Sequence, residues 1–361
     1  MKWAVQKLEE IISIKTGKLD SNAAVPNGQY PFFTCDPQTL AINTYAYDTE
    51  AVLLAGNNAS GNYTAKYYHG KFNAYQRTYI IESIDKGKLD IHYFLYALNE
   101  QLALLKSISS GSTTKFLTMS MLKPLSVPCP TISVQRRIAS ILSAYDDLIE
   151  NNRRQIKLLE EAAQRLYREW FVELRFPGHE GVKVVDGVPE GWMKVCLKDI
   201  CETKTGKKDA NFGCDDGAYP FFTCAQAPIK APSYSFDCSA VILAGNGDFN
   251  VKLYRGKFEA YQRTYVLSPA NTEYLFLLYN AVSRNMNVLT KGASGSTIKF
   301  LTKGMIDSIE LLIPSSQLLT TYNQNSEALQ KSIEALHRKV ALAVEARDRL
   351  LPKLMNSEME I

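Results

Sequence analysis

"KFNAYQRTY" at residues 71–79 returns as "KFEAYQRTY" at 257–265, with Asn73 exchanged for Glu259. The repetition extends far beyond this block. Trp3, Leu8, Ile11 and "TGK" at 16–18 recur 189 residues later as Trp192, Leu197, Ile200 and "TGK" at 205–207. "YPFFTC" (30–35) recurs at 219–224 and "LLAGN" (53–57) as "ILAGN" (242–246). The offset falls to 186 at the opening block and to 184 for "SGSTTKFLT" (110–118) against "SGSTIKFLT" (294–302). Small deletions therefore lie in the loops between blocks, where chains tolerate them. A repeat of this length is too long for a solenoid. The chain carries one domain twice.

Each copy reads as mixed α/β. "AVLLAG" and "AVILAG" are short apolar runs ending in Gly-Asn, while "YQRTYII" and "YQRTYVL" alternate, and both patterns predict strands. Helices are expected over 91–108 and 273–289, and "KPLSVPCP" and "DSIELLIP" close each unit on proline. Long amphipathic helices follow at 131–171 and 315–355. The first places Ile138, Ile141, Tyr145, Ile149, Asn152, Ile156, Leu159, Ala163, Leu166 and Trp170 at steps of three and four. The second matches it with Tyr322, Asn325, Leu329, Ile333, Leu336, Val340, Ala343, Arg347, Leu350 and Leu354. A lone helix of this kind would expose its seam, so the two are expected to pair. Pro352 is expected to end the second one early, and Asn152 in the seam is expected to fix register. The expected class is α+β: two duplicated domains separated by two long coiled-coil helices. An antiparallel arrangement would relate the copies by a pseudo-two-fold axis.

Composition narrows the function. Lys+Arg 41 against Asp+Glu 37 gives a formal charge of only +4, so nucleic-acid contact would come from local patches. Seven cysteines without a CxxC pair, and four histidines, argue against a metal. Cys35 and Cys224, in "YPFFTC", are expected to be buried reduced thiols. No run of 18 apolar residues occurs, and the N-terminus lacks an apolar signal core, so the cytoplasm is the expected compartment. No two prolines are adjacent, which excludes the Asn/Asp-Pro-Pro-aromatic motif of amino-methyltransferases. No cofactor glycine loop or GxxxxGK[ST] phosphate loop is present. The chain reads as non-catalytic, with no cofactor.

The order and duplication of these blocks resemble the specificity subunit of type I restriction–modification enzymes. The residues that carry the likeness are Trp3/Trp192 with "TGK", the "GKFNAYQRTY" and "GKFEAYQRTY" blocks at 70–79 and 256–265, "SGSTTKFLT", "SVQRRIASILSAYDDLIENNRRQ" and "LYREWFVELRFPG". The second long helix lacks the "QRRIA" start of the first. The resemblance implies two target-recognition domains, 1–130 and 193–314, each reading half of a bipartite double-stranded DNA site. Residues 131–171 and 315–355 would be the spacer, 172–192 a linker and 356–361 a tail. Two methyltransferase subunits, and translocating endonuclease subunits, would be the partners. A related methyltransferase system without the nuclease, or a stand-alone regulator reading an inverted repeat, are the competing readings.

Within the copies, Gln76-Arg77 and Gln262-Arg263 combine an adenine-capable amide with a guanine- or phosphate-capable guanidinium, and Lys71 and Lys257 add charge. If the strand alternation holds, one of each pair is structural. Ser110, Ser112, Thr113 and Lys115, with Ser294, Ser296, Thr297 and Lys299, suit phosphate contact or a plain helix-to-strand turn. Lys18, Lys207 and Lys208 are further cations. Specificity is expected where the copies differ, in the loops 57–67 and 246–253. There Asn57, Asn58, Ser60 and Asn62 face Asn246, Asp248 and Asn250 as base-edge readers.

Overall fold

The computed structural model describes residues 3–111, 114–293 and 299–359. It contains two compact units: residues 1–152 with 339–361, and residues 153–338.

In the first unit a six-stranded sheet runs in the order β1-β6-β4-β5-β2-β3. The strands are β1 (Ile12–Thr16), β2 (Tyr30–Phe33), β3 (Leu40–Ile42), β4 (Tyr47–Ala55), β5 (Ala65–Ala74) and β6 (Thr78–Ser83). All neighbours are antiparallel except β2 and β5. Both faces of the sheet are covered. Ala51 and Leu53 of β4 join Phe33, Phe72, Ala74 and Ile80 in one cluster. Val52 and Leu54 point the other way, into a core with Tyr79, Ile81, Phe94 and Leu98. Burial on two sides is why "AVLLA" is uniformly apolar rather than alternating. The second unit repeats the order with β7 (Cys201–Thr205), β8 (Tyr219–Phe222), β9 (Ile229–Ala231), β10 (Phe236–Ala244), β11 (Val251–Ala260) and β12 (Thr264–Pro269). Its inner cluster is Phe222, Ala240, Ile242, Phe258, Ala260 and Val266.

The proline-ended segments pair back onto the start of each unit. Ser126–Pro128 lies beside Val5–Lys7, and Glu310–Ile313 beside Met193–Cys196. Each pairing delivers the chain to a long helix, α3 (Ile132–Phe171) and α5 (Ser316–Met355).

Three local expectations are corrected. The 91–108 helix is two, α1 (Ile91–Asn99) and α2 (Leu102–Ile108), with α1 buried nearly all round and α2 burying only Leu105. The tight bond from Gln101 N–H to the Leu98 carbonyl, 2.9 Å, closes the first helix and lets the second leave the core. The second copy keeps one helix, α4 (Leu275–Gly292). Pro352 does not stop α5, which runs on to Met355. A proline in the last turn forfeits one hydrogen bond, and Asn356 N–H still closes onto its carbonyl at 2.9 Å. Third, residues 75–77 leave the sheet and form a turn; the alternation argument for their side chains therefore does not apply.

On the long helices, Ile138, Ile149 and Asn152 are buried and Ile141, Tyr145, Val340 and Leu350 half-buried in the first unit. Ile156, Ile333 and Leu336 are buried, and Leu159, Leu166 and Leu329 half-buried, in the second. Asn325 is exposed, and the neighbouring Ser326 takes the buried position. Within the first unit Arg347 Nη1 donates to Asp146 Oδ1 at 2.7 Å, while Tyr96 Oη donates to Oδ2, also at 2.7 Å. Within the second, Trp170 and Phe171 pack on Tyr322 with ring centroids 5.8 and 4.8 Å apart. Asn280 there receives Gln164 Nε2 (2.8 Å) and donates to Tyr322 Oη (2.9 Å).

Candidate nucleic-acid interface

Four of the repeated blocks meet at one place in each unit. The turn Tyr75–Thr78 is held almost wholly by backbone groups. Tyr75 N–H donates to Phe33 O (2.9 Å), Gln76 N–H to Leu19 O (2.9 Å) and Thr78 N–H to Tyr75 O (2.8 Å). Gly56 N–H donates to Arg77 O (2.8 Å), and Gly17 N–H to Thr78 O (3.1 Å). The second copy repeats every bond: Tyr261 to Phe222 (3.0 Å), Gln262 to Lys208 (2.9 Å), Thr264 to Tyr261 (2.8 Å), Gly245 to Arg263 (2.9 Å) and Gly206 to Thr264 (3.1 Å).

This clamp explains the glycines of "TGK" and "LAGN". A Cβ on Gly17 would stand 2.2 Å from Ala74 O, and one on Gly56 2.4 Å from Arg77 O. The matching distances at Gly206 and Gly245 are 2.0 Å to Ala260 O and 2.5 Å to Arg263 O. Only glycine lets the strand ends approach so closely. It also explains the single substitution in the repeated block. Asn73 and Glu259 are both buried, and each side-chain oxygen accepts from the next residue's N–H, at 3.0 and 2.9 Å. Glu259 additionally takes the Ser235 hydroxyl at 2.7 Å. This position is an internal brace in both copies.

The turn presents its two polar side chains outward. Gln76, Arg77, Gln262 and Arg263 are all exposed, whereas Thr78 and Thr264 are buried. Gln76 Nε2 reaches Asp20 Oδ1 at 3.4 Å. Among the described residues neither guanidinium has a hydrogen-bond or ion-pair partner.

Cys35 and Cys224 lie directly behind the turn and are half-exposed rather than buried. Their thiols approach the Arg77 and Arg263 carbonyls at 3.5 and 3.6 Å, so the clamp, not an apolar core, is their environment.

The loops differ in how they are braced. Asn58 Oδ1 accepts from Ser60 N–H and Oγ (both 2.9 Å) and Asn62 N–H (3.1 Å), and Asn62 Oδ1 accepts from Lys106 Nζ (2.7 Å). In the second copy Asp248 Oδ2 accepts from Gln226 Nε2 (2.7 Å), and Asn250 Nδ2 donates to Cys224 O (3.0 Å). Asn246 Oδ1 takes the Cys224 thiol at 2.9 Å, while Asn57 Oδ1 is buried without a partner among the described residues. Lys66 and Lys252, at matching positions, donate to the Asp36 and Ala225 carbonyls at 3.2 and 2.8 Å. Burial lowers the pKa of both. They are loop braces that the sequence reading did not single out.

Among the cations, Lys71 and Lys257 lie over the Tyr45 and Tyr234 rings at 4.7 and 4.9 Å, and Lys208 over Phe212 at 4.3 Å. Lys18, Lys207 and Lys299 are exposed, and Lys115 is half-buried, paired through its backbone with Asn58. Ser110 bonds Phe116 through the backbone. Ser112, Thr113, Ser294, Ser296 and Thr297 lie outside the described residues. In the second unit a cavity of about 340 Å³ opens between Thr205, Asn246, Gln262, Arg263 and Phe300. Among the described residues no group of three metal-ligating side chains forms, and no helix is long and apolar enough to cross a membrane.

A duplicated α+β domain with a twice-built, outward-facing Gln-Arg turn defines a class that comparison makes specific. The chain matches the type I restriction modification DNA specificity domain over residues 1–161 and 189–345, and it belongs to that family. It is 38% identical over 178 residues to the EcoDI type I restriction enzyme specificity subunit of Escherichia coli, covering 48% of this chain and 39% of that one. It is 25% identical over 296 residues to the MjaIX specificity subunit of Methanocaldococcus jannaschii, covering 74% and 68%. Its fold is shared with the type I restriction-modification S subunit of M. genitalium: TM-score 0.66, 18% identity, 98% of this chain and 96% of that one. The chain thus spans well under half the length of its E. coli relative.

Proposed function

We propose that this chain is the non-catalytic recognition subunit of a type I restriction–modification complex, directing methyltransferase and restriction subunits to a bipartite DNA target. The observation that carries the reading is the backbone clamp, built twice, that exposes Gln76-Arg77 and Gln262-Arg263. Bidentate amide and guanidinium groups on a rigid support suit base edges in the major groove. The family match gives no support to a stand-alone regulator.

In this reading residues 1–130 and 193–314 each read one half-site. The long helices, 131–171 and 315–355, form an antiparallel spacer on which two methyltransferase subunits dock, and the copies are related by a pseudo-two-fold axis. Support comes from the shared seam spacing and from Asp146–Arg347 and Trp170–Tyr322, pairings of early with late helix positions. At 1.5 Å per residue each helix is about 60 Å long, enough to separate two half-sites by a helical turn. The cytoplasm, where the DNA is, is the proposed compartment.

The test is to express the chain with its methyltransferase partner and map methylated bases in genomic DNA. A split motif should appear only when the chain is present. Methyl transfer by the isolated chain, or a motif without a gap, would count against the proposal.

A further inference from the structure

Phe116 and Phe300 hold the same place in the two copies, 184 residues apart. They are 37% and 39% exposed. One exposed apolar ring needs no explanation. Recurrence beside a polar site does.

Each ring is fixed to the clamp. Phe116 N–H donates to Ser110 O at 2.8 Å and the Phe116 carbonyl accepts from Ser110 N–H at 3.3 Å, while its backbone pairs in register with Asn57. The next residue, Leu117, donates to Gly56 O at 2.8 Å, and Gly56 is the glycine whose N–H holds the Arg77 carbonyl. Phe300 bridges to Asn246, and Leu301 N–H bonds Gly245 O at 2.8 Å. In the second unit the ring shares its cavity with Asn246, Gln262 and Arg263. The site therefore sets one apolar surface beside an amide and a guanidinium.

The degree of cover decides what the ring can do. More than half of each phenylalanine is covered by its own domain, so only the lesser part of each is open to a ligand. A wedge has to push between stacked bases and part them. A partly covered apolar surface instead suits the C5-methyl of thymine, the apolar group on a major-groove base edge.

We propose that Phe300, and Phe116 in the other half-site, read a thymine through its 5-methyl group, next to the base addressed by the Gln-Arg turn. This rests on the DNA-recognition reading above. The chain in complex with its methyltransferase partner is titrated with duplexes carrying the motif mapped in cells. Each thymine of one half-site, on either strand, is replaced singly by deoxyuridine, which pairs alike but lacks the methyl. One replacement should weaken the wild-type complex about four-fold, the worth of one methyl removed from contact. Phe300→Ala should bind the natural duplex about as weakly and ignore that replacement, while Phe300→Leu stays sensitive. Phe116→Ala should behave likewise at the opposite half-site.

A wild-type complex indifferent to deoxyuridine at every thymine, or a Phe300→Ala complex that still discriminates, overturns the contact while leaving DNA recognition intact. A half-site without thymine does the same. A complex that selects no DNA sequence at all overturns the recognition reading and this contact with it. An unchanged thermal midpoint for Phe300→Ala separates lost contact from lost fold.

Discussion

At the scale of single residues, the clamp separates side chains that hold the turn from those it offers. Arg77 and Arg263 are offered. Arg263→Ala, if the guanidinium reads guanine, should cost roughly 1–3 kcal/mol on the target and relax one half-site only. Lys115→Ala and Lys299→Ala should instead weaken binding to all sequences and lower the salt slope by about 1 per lost phosphate contact. Titration against specific and random duplexes at several salt concentrations distinguishes the two; equal losses on both for an arginine variant would move that arginine to the backbone. Gly245 tests the support. An added methyl 2.5 Å from the Arg263 carbonyl must displace the turn, so Gly245→Ala should destabilise by about 1–3 kcal/mol and blur the second half-site alone. Melting curves and the methylated motif report the two effects separately. The turn was not legible as a turn. "AYQRTY" contains no Gly, Pro, Asn or Asp, and its β-formers spell a strand; four backbone bonds to distant segments, with one inside the turn, impose the bend. Phe116 and Phe300 were likewise overlooked, because a phenylalanine beside Leu in "KFLT" reads as core.

At the scale of elements, repetition made the long helices and two of the six strands in each sheet legible, since two divergent copies of one pattern agree where structure requires it. What differed between copies was harder. The split of 91–108 into two helices has no proline or glycine to announce it, and the intact α4 at the matching position offers no hint. Asn152 is buried in α3 with its Nδ2 lacking a partner among the described residues. Asn152→Leu should therefore raise stability by about 1–2 kcal/mol, seen as a higher thermal midpoint, and any gain in alternative assemblies would appear in sedimentation. In the second unit Arg255 grips Glu327 of α5 through two bonds, 3.1 and 2.8 Å. The guanidinium's hydrogen bonds hold the Glu327 carboxyl below its usual range. A carboxyl depressed in the folded state stabilises above its unfolded pKa, and this contribution disappears as pH falls through the folded value. The pair is partly exposed, so Glu327→Gln should cost no more than about 1 kcal/mol at neutral pH. That gap between wild type and variant should close on acidification below the ordinary carboxylate range, read as thermal midpoint against pH.

For the whole molecule, two domains that present the same turn should take DNA in nearly the same pose. With an antiparallel spacer, the half-sites would lie on opposite strands and resemble each other read 5′ to 3′, with centres about 10 bp apart. Differences between halves should follow the unequal loops 57–67 and 246–253. Those loops are braced by partners outside themselves, Lys106 on Asn62 in one copy and Gln226 on Asp248 in the other. Replacing 246–253 by 57–67 should therefore make the methylated motif more symmetric only when a lysine is also supplied at the position matching Lys106. A motif unchanged by the combined exchange would remove the loops from recognition.

The main-chain character of the clamp has a consequence for how such a protein changes over generations. Hydrogen bonds between peptide groups are indifferent to the side chains they carry. Substitutions at Gln76, Arg77, Gln262 or Arg263 leave every supporting bond in place, so new letters can be tried without endangering the fold. Selection for a different target can then act on a handful of exposed positions, one domain at a time, while the glycines beneath them stay under constraint.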